Sequence, residues 1–497
     1  MAVPLITLRT WQHSLYVRDQ WQASRKLTLS IGLRWEYYPV PTRADRGIER
    51  FDLTTNTYLV CGVGPTPRDC GITVSKKLFA PRIGIAYRPT ETFVIRAGYA
   101  LSPEQINMYR DGIASYPVRV DFNASGLNSF APVGTLEAGI PVIPTPDISQ
   151  GKIALPPGAT FTTDPQNFVR GYVQSWNFTL QRTIGRGFVA SAGYVGTNTI
   201  HQHTRYNINY GQIGGGAASQ PYFKLFGITG GATLIAPMES MNYNSFQTTL
   251  DRRFSNGLAF QAAYTRSKWI GYCCDDSGDG QPQIPIPEYF RLNRAVMSAD
   301  RPNNLRISGT AELPFGKGKQ FLNSGGPATW IAGGWRLNGV FSSYSGSPFT
   351  VSASSSSLNA PGSSQRADQV KAKVAILGNI GSAGSYFDPL AFAPVTQARF
   401  GTSGFNTMRG PGVNNIDMSV FRDFKITERF TLQFRAEALN LTNTPHFSNP
   451  SANVSNLQLN SDGSIRNLGG YSQITGVSAP SRLTDERYFR FGLRLGF

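Results

Sequence analysis

Histidine is the residue type in this chain with the widest chemical range, since it can bind a metal or act as a general base. Two of the four histidines, His201 and His203 in the segment IHQH, are spaced so that both could ligate a metal from one face of a strand. They follow a predicted strand end beside a long loop, and no third ligand stands at a convincing spacing. We therefore interpret the pair as loop-rim residues and predict no metal site.

The four cysteines fall into two groups. Cys61 and Cys70 bracket a Gly/Pro-rich segment, CGVGPTPRDC, and could form a loop disulfide in an oxidising compartment. The adjacent Cys273 and Cys274 open the segment CCDDSGDG, whose acidic residues raise the question of a metal. The segment has neither C-x-x-C spacing nor a nearby histidine, so a zinc site is not predicted. The ligand spacing of a calcium-binding EF-hand is also absent, and we therefore interpret the segment as a solvated loop.

Catalytic motifs are missing from the sequence. The patterns GxSxG, HExxH and the Walker A loop do not occur. The histidines form no visible cluster with serine or aspartate. The sequence therefore predicts no catalytic residue and no cofactor, and it favours transport or binding over an enzyme.

The composition favours one large β architecture. The chain of 497 residues contains 52 Gly, 32 Pro, 21 Tyr and 31 Phe with 15% charged residues, which suits many strands and turns. A run of 18 apolar residues is absent, which excludes a transmembrane helix, and MAVPLITLRTWQHSLYV has no export-signal pattern. The net charge of +17 is spread along the chain, so no nucleic-acid partner is predicted.

Alternation of apolar and polar residues predicts thirteen strands. In residues 26–37 the apolar side chains occupy one face and the polar side chains and glycine the other, which is the period of a strand whose faces meet different surroundings. The Asn256-Gly257 pair is a strong hairpin signal. The predicted strands are 13–21, 26–37, 82–88, 93–100, 175–182, 188–196, 243–254, 258–268, 304–313, 333–344, 416–424, 429–440 and 487–497.

The connections between these strands alternate between short turns and long loops. This alternation is the plan of a transmembrane antiparallel up-and-down β-barrel with short periplasmic turns and long extracellular loops. A β-sandwich or propeller has no reason to alternate in this way. The fold class is therefore all-β, with outer-membrane lipid and lipopolysaccharide outside the barrel and ligand binding expected on the loops. The serine-rich segment 351–364 is predicted to be mobile.

One face of the barrel is predicted to line a lumen. Structural pairing across strands is the favoured interpretation for Arg435 and Glu437, and the others stay open between pairing, contact with a plug and a solute path. The predicted lumen-facing residues are Arg34, Glu36, Arg96, Gln433, Arg435, Glu437, Arg490 and Arg494.

The strand count predicts a portion of a longer protein. If the last strand ends in the periplasm, the alternation places the start of the first strand outside, whereas bacterial single-chain barrels have even strand numbers. Residues 1–497 are therefore expected to form one barrel domain without plug or signal peptide. A short extra strand within VPLITLRT, which would make fourteen, is the alternative.

Recurrent phrases resemble a known family. LTLSIGLRWE, RRFSNGLAFQAAYTRSK, AELPFGKGKQFLN, GGWRLNGVFSSYSGSPFTV and FKITERFTLQFRAEALNLTNTPHF are similar, in order, to phrases of TonB-dependent outer-membrane receptors, particularly the Oar-like branch of acidobacterial type. The resemblance covers the chain from about residue 11 to its end. It implies a barrel of twenty-two strands in the bacterial outer membrane, of which this chain would be the C-terminal portion.

The resemblance also implies a function and partners. It implies active import of a nutrient, driven through TonB, ExbB and ExbD, which would act only through a plug and TonB box not found in this sequence. It implies that the terminal strand is read by the barrel-assembly machinery. The residues of that assembly signal are Phe489, Phe491, Leu493, Leu495 and Phe497.

Two other functions stay open at this point. A self-contained passive channel of about fourteen strands would suit the alternative strand count. A surface binding or adhesion protein would use the long loops. An outer-membrane hydrolase would need a catalytic cluster that the histidines do not supply.

Overall fold

A computed structural model describes the chain except for six segments. Those outside the description are 1–6, 105–145 apart from Pro117, Thr135, Glu137 and Gly139, 157–158, 186, 273–280 and 479–484. The segment that contains Cys273 and Cys274, interpreted above as a solvated loop, therefore lies outside the described residues.

Thirteen strands follow one another in a single antiparallel sheet, each paired with the next in sequence. All thirteen predicted strands are present, with shifted ends. They are β1 (His13–Gln22), β2 (Leu27–Tyr37), β3 (Leu78–Thr90), β4 (Phe93–Pro103), β5 (Tyr172–Gly185), β6 (Phe188–Asn207), β7 (Ala232–Ser255), β8 (Leu258–Gly271), β9 (Asn303–Glu312), β10 (Trp335–Tyr344), β11 (Val413–Lys425), β12 (Thr431–Leu439) and β13 (Tyr488–Gly496).

The connections alternate in length as the sequence predicts. The hairpin between β7 and β8 is closed by Asn256 and Gly257, which both have positive φ, at 51° and 77°, so the predicted Asn-Gly turn is confirmed. The outer loops are L1 (38–77), L2 (104–171), L3 (208–231), L4 (272–302), L5 (345–412) and L6 (440–487).

The hairpin of β6 and β7 is longer than its alternation predicts. Residues 197–207 and 232–242 belong to these strands and not to a loop. The reason is a β-bulge, because the pairing shifts register between Thr199 and Thr204 and His201 has a φ of 55°. A bulge inserts a residue and resets the alternation, which hides the far part of the strand from a period-two reading.

Shorter elements lie in the loops and in one turn. The α-helices are α1 (Pro221–Phe226) and α2 (Pro327–Ala332), and the 3₁₀ helices are Ala217–Ser219, Pro287–Asn293, Pro389–Ala391 and Val454–Asn456. The short strands are Glu49–Asp52, Thr57–Val60, Thr73–Val74, Lys152–Ala154, Phe161–Thr163, Asn167–Phe168, Ala295–Val296, Pro348–Phe349, Asp368–Gln369, Phe392–Ala393, Met408–Arg409, Gln458–Leu459 and Ile465–Asn467. None of the described helices is long and apolar enough to cross a membrane.

The buried apolar residues lie mostly in the loops. A first loop core unites L1, L2 and L3, and a second unites L5 and L6. The first loop core is Phe51, Tyr58, Leu155, Phe161, Tyr222, Ile228 and Ala232. The second is Phe349, Val351, Ala353, Ala367, Tyr386, Phe387, Ala391, Phe392, Met408, Val454, Tyr471 and Ile474. The loops therefore pack on one another as a folded layer.

The serine-rich segment 351–364 belongs to this layer, so the prediction of a mobile segment is wrong. Val351 and Leu358 are completely buried. The Ser352 amide donates to the Ala452 carbonyl at 2.9 Å, and its carbonyl accepts from Val454 at 2.9 Å. The few apolar residues of segment 351–364 pack into the loop cores. Their burial stabilises an ordered conformation despite the polar composition of the segment.

Candidate functional site

The strand register sorts the side chains of the sheet onto two faces. In antiparallel strands, directly paired residues lie on the same face. Ile31 pairs with Ile83, Tyr99 with Trp176 and Phe434 with Leu493, so one face is apolar along the sheet. Large side chains on it are exposed to the surroundings: Leu15, Val17, Ile31, Leu33, Phe79, Ile83, Ile85, Tyr87, Phe178, Phe246, Ile307, Phe489, Phe491, Leu493 and Leu495. The surroundings of this face must therefore be apolar.

The opposite face is polar and carries every predicted lumen-facing residue. Arg34 Nε lies 2.6 Å from Glu36 Oε1, within strand β2. Arg490 and Glu437, paired across β12 and β13, form an ion pair at 2.5 Å, as predicted for Glu437. Arg435 differs from the prediction, since its Nε donates to Gln433 Oε1 at 2.6 Å on the same strand.

Two further members of the predicted lumen-facing set have hydrogen-bond partners on a neighbouring strand. Arg96 donates to Gln181 on the neighbouring strand β5. Gln433 donates to Asp423 Oδ1 at 2.7 Å, and Arg336 forms an ion pair with that same carboxylate. Predicting the contacts of Asp423 requires the register between strands β10, β11 and β12. Alternation along a single strand does not provide that register.

A basic pocket lies on the polar face of β1 to β5. It has a volume of about 540 Å³ and is lined by Arg18, Arg34 and Arg82 together with small residues such as Gly32 and Gly98. Arg18 and Arg82 both flank Gly32 in the register. Of the three arginines, only Arg34 has an acidic partner within the part of the chain that the structure describes. This part of the polar face can hold an anionic group.

Above the pocket, a polar network joins β2 to the loops. The Tyr38 hydroxyl donates to Glu36 Oε2 at 2.6 Å, and the Arg170 guanidinium lies 4.1 Å from the Tyr38 ring centroid. Burial, aided by the hydrogen bond to Glu36, raises the pKa of Tyr38 to about 12. Burial lowers the pKa of Arg170. Arg170 also donates to the backbone carbonyl of Glu104 at 2.7 Å, which joins the two ends of L2, while its contact with Tyr38 ties L2 to L1.

The two histidines of IHQH have separate surroundings. His201 is exposed at the bulge of β6, whereas His203 is buried and 2% exposed. His203 Nδ1 lies 2.5 Å from Glu104 Oε2, and its ring stacks on Phe168 at 4.3 Å. Both residues lie inside strand β6, which corrects their predicted place at a loop rim, and His203 serves to hold L2 against this strand.

A second buried histidine does the same for L6. His446 Nδ1 lies 2.5 Å from Asp485 Oδ1, and the His446 amide donates to Oδ2 at 2.7 Å. His446 Nε2 lies 3.0 Å from the carbonyl of Asn414 at the start of β11. Sequence reasoning missed both histidine–carboxylate pairs, because each joins residues far apart in the chain.

Cys61 and Cys70 are bonded in the structure, with a Sγ–Sγ distance of 2.01 Å. The bond lies in L1, where both residues are buried with Ile48, Ile72 and Phe168. Among the described residues, no group of three His, Cys, Asp or Glu side chains comes together as a metal site.

The terminal strand β13 presents its apolar side chains on the exposed face. Phe491 and Leu493 are 69% and 71% exposed, and Phe497 is 98% exposed. The strand pairs with β12 on one side, and its other edge has no partner among the residues described. The five residues of the predicted assembly signal therefore share one face beside an open strand edge.

A large antiparallel sheet with one apolar face, one polar face and long packed loops at one rim defines the wall of an outer-membrane β-barrel. The chain belongs to the family "Outer membrane beta barrel domain", whose model matches residues 2–487. It is thus a protein of the bacterial outer membrane, and the apolar face contacts lipid while the polar face lines the lumen.

Solved structures similar to this chain are outer-membrane receptors and transporters. They include the ferripyoverdine receptor of Pseudomonas aeruginosa (11% identity, TM-score 0.43, covering 98% of this chain and 39% of that one). Others are the transporter YddB of Escherichia coli (11%, 0.46, 97% and 44%) and the ferric enterobactin receptor PfeA of Pseudomonas aeruginosa (10%, 0.46, 98% and 44%). This chain thus spans less than half the length of each. No curated protein matches the chain.

Proposed function

We propose that the chain is the barrel wall of a TonB-dependent receptor, which imports a nutrient actively when the barrel is joined to its plug. The observation that carries the proposal is a sheet whose polar face continues across thirteen strands while its two edge strands, β1 and β13, pair on one side only within the described part of the chain. Residues 1–497 would then act as one barrel domain.

The free edges favour this function over a self-contained passive channel. A pore needs a closed barrel, because an open edge leaves backbone N–H and C=O groups unpaired in lipid. All ten residues of β1 are exposed, and β13 is exposed except at Gly492. Further strands from the same protein would close the barrel and make it wide enough for a plug.

The basic pocket supports a role for the polar face in the import step. Arg18 and Arg82 are free of acidic partners among the described residues and face the lumen. In a plugged barrel they can bind carboxylates of the plug or an anionic solute that passes it. The ordered loop layer would hold the external binding surface above this wall.

The partners follow from this arrangement. TonB, ExbB and ExbD would act through the plug, and lipid and lipopolysaccharide would surround the apolar face. The barrel-assembly machinery would read β13, whose apolar side chains and free edge are accessible together. The proposal assigns no catalytic activity to the chain.

Dependence on TonB tests the proposal. Cells that express the gene product containing this chain are incubated in a complex medium, and depletion of each solute is followed by mass spectrometry in paired strains with and without TonB. Active import predicts solutes whose depletion requires both the protein and TonB. Depletion that is equal in the two strains contradicts it and favours the passive channel.

Variants of the basic pocket test the role of the polar face. The double substitution Arg18→Gln and Arg82→Gln is expected to lower the TonB-dependent depletion of anionic solutes. Arg25→Gln, in the exposed turn between β1 and β2, is the matched control. Equal depletion by both variants would remove the pocket from the import path.

A further inference from the structure

The connection between β9 and β10 departs from the other turns. The longest of the other turn-side connections is residues 426–430. This long turn, in contrast, spans residues 313–334 and contains α2. It should face the aqueous periplasm, yet it exposes five large apolar side chains. These are Phe315 (36% exposed), Phe321 (49%), Leu322 (41%), Trp330 (67%) and Ile331 (63%).

The first part of the long turn is a tight loop that sets two phenylalanines side by side. The Gly316 amide donates to the Phe321 carbonyl at 2.9 Å, and the Phe321 amide donates to the Pro314 carbonyl at 2.9 Å. The rings of Phe315 and Phe321 are 5.8 Å apart. Gly316 has a φ of 116°, a conformation that a residue with a Cβ rarely adopts.

The second part, α2, is held against the lipid face of the sheet. Arg422 lies on that face, because it pairs with Trp335 and with Phe434 in the register. Its Nη1 donates to the Ile331 carbonyl at 2.6 Å, and its Nη2 donates to the Trp330 carbonyl. These carbonyls belong to the last turn of α2, where a cation is stabilising.

Aromatic side chains complete this attachment. Trp335 Nε1 donates to the Ile331 carbonyl at 2.9 Å. The Arg422 guanidinium lies 4.4 Å from the ring centroid of Phe424 and 5.4 Å from that of Trp330, so its charge is covered by rings. Arg422 is only 7% exposed, which explains how an arginine is tolerated on the lipid face.

The attachment leaves Trp330 and Ile331 largely exposed at the turn-side rim of the lipid face. Tryptophan with neighbouring apolar and basic side chains is the composition that binds at the boundary between lipid head groups and acyl chains. Lys317 is exposed and has no acidic partner among the described residues, whereas Lys319 pairs with Glu312 at 2.6 Å. Lys317 can therefore meet a lipid phosphate.

We propose that the long turn 313–334 is an interfacial anchor that inserts Trp330 and Ile331 into the periplasmic leaflet of the outer membrane and places Lys317 among its phosphates. The partner is a phospholipid leaflet, because the exposed patch continues the lipid face of β10 and β11 through Arg422. The anchor would fix the depth of the barrel wall in the membrane.

Depth-dependent quenching of Trp330 tests the anchor. The outer-membrane protein that contains this chain is reconstituted in vesicles of phosphatidylcholine and phosphatidylglycerol, and its fluorescence is compared with that of Trp330→Phe. We expect the component lost in the variant to be quenched by lipids brominated near the head group and protected from aqueous iodide. Trp11→Phe is the control. Trp11 has an exposed fraction of 64%, close to the 67% of Trp330, but it lies just before the loop-side start of β1, far from the long turn.

Two outcomes overturn the proposal. A Trp330 component that iodide quenches and brominated lipid does not would place the long turn in water, free for a soluble partner. Heat-modifiable migration of the variants shows whether the barrel is intact.

The contact of Lys317 is tested by comparing two lipids. Brominated phosphatidylglycerol should quench Trp330 more strongly than brominated phosphatidylcholine. Lys317→Gln should remove this difference, whereas Lys373→Gln, in an exposed outer loop, should keep it. A difference that persists in Lys317→Gln removes the phosphate contact.

Discussion

Replacing Phe51 by alanine should open the loop layer while leaving the barrel wall intact. Phe51 is completely buried in the first loop core. Its ring stacks on Phe161 from L2 with centroids 4.0 Å apart, and it contacts Tyr222 from α1 at 6.0 Å. The side chain thus joins L1, L2 and L3 within the first loop core.

The size of the effect follows from burial. Removing a fully buried phenylalanine costs about 3–5 kcal/mol, from lost apolar burial and the remaining cavity. At about 1.4 kcal/mol for each tenfold change, the open population of the first loop core rises by roughly two to four orders of magnitude. The barrel strands keep their hydrogen bonds, so the loss is confined to the loops.

Hydrogen exchange measures this opening at a defined amide. The Val60 amide donates to the Gly151 carbonyl at 2.9 Å, which joins L1 to L2, and Val60 is completely buried. Its exchange should accelerate by the same two to four orders of magnitude in Phe51→Ala, up to the rate of the free amide. Amides at the centre of β7 should exchange at unchanged rates.

The matched control is Phe223→Ala. Phe223 lies on α1 in the same loop layer but is 37% exposed and outside the first loop core. It should accelerate exchange at Val60 by less than tenfold. The reasoning is refuted if Phe51→Ala leaves Val60 protected, or if Phe223→Ala has the same effect.

Three further predictions concern the chain end and the outer loops. Replacing Phe497 is expected to impair assembly of the protein that contains this chain, and unchanged heat-modifiable migration and surface level would count against it. Breaking the Cys61–Cys70 bond should destabilise L1 by about 2–3 kcal/mol, seen as faster proteolysis within the loop and absent elsewhere. The two hydrogen bonds from Arg399 lower the pKa of Asp368, so this pair stabilises L5 above the usual carboxyl pKa and loses its effect as the pH falls through the lowered value. Asp368→Asn should remove that acid dependence from hydrogen exchange in L5, and an unchanged profile would contradict it.

Most of the wall could be predicted from the sequence because a barrel strand has only two surroundings. Lipid on one side and lumen on the other make apolar and polar residues alternate with a period of two. This alternation, seen for example in KLTLSIGLRWEY and LAFQAAYTRSK, predicts all thirteen strands of the sheet. The bulge at His201 marks the limit of this reading, since one inserted residue moves the following side chains to the other face.

The loop layer and much of the site could not be predicted, because they depend on contacts distant in sequence. Glu104 and His203 lie 99 residues apart, and His446 and Asp485 lie 39 apart. The low-complexity appearance of 351–364 also concealed its burial, since only its few apolar positions decide its packing. Arg18 and Arg82 emerged as a pair only when the register brought both beside Gly32.

The central claim, that this chain is one portion of a larger plugged barrel, is tested most directly by conductance. The refolded chain of 497 residues is added to planar lipid bilayers, and its single-channel currents are recorded. We expect no stable unit conductance from this chain, because the edges of β1 and β13 lack partners in the described structure. Uniform, long-lived conductance steps from the chain alone would show a self-contained pore and contradict the proposal.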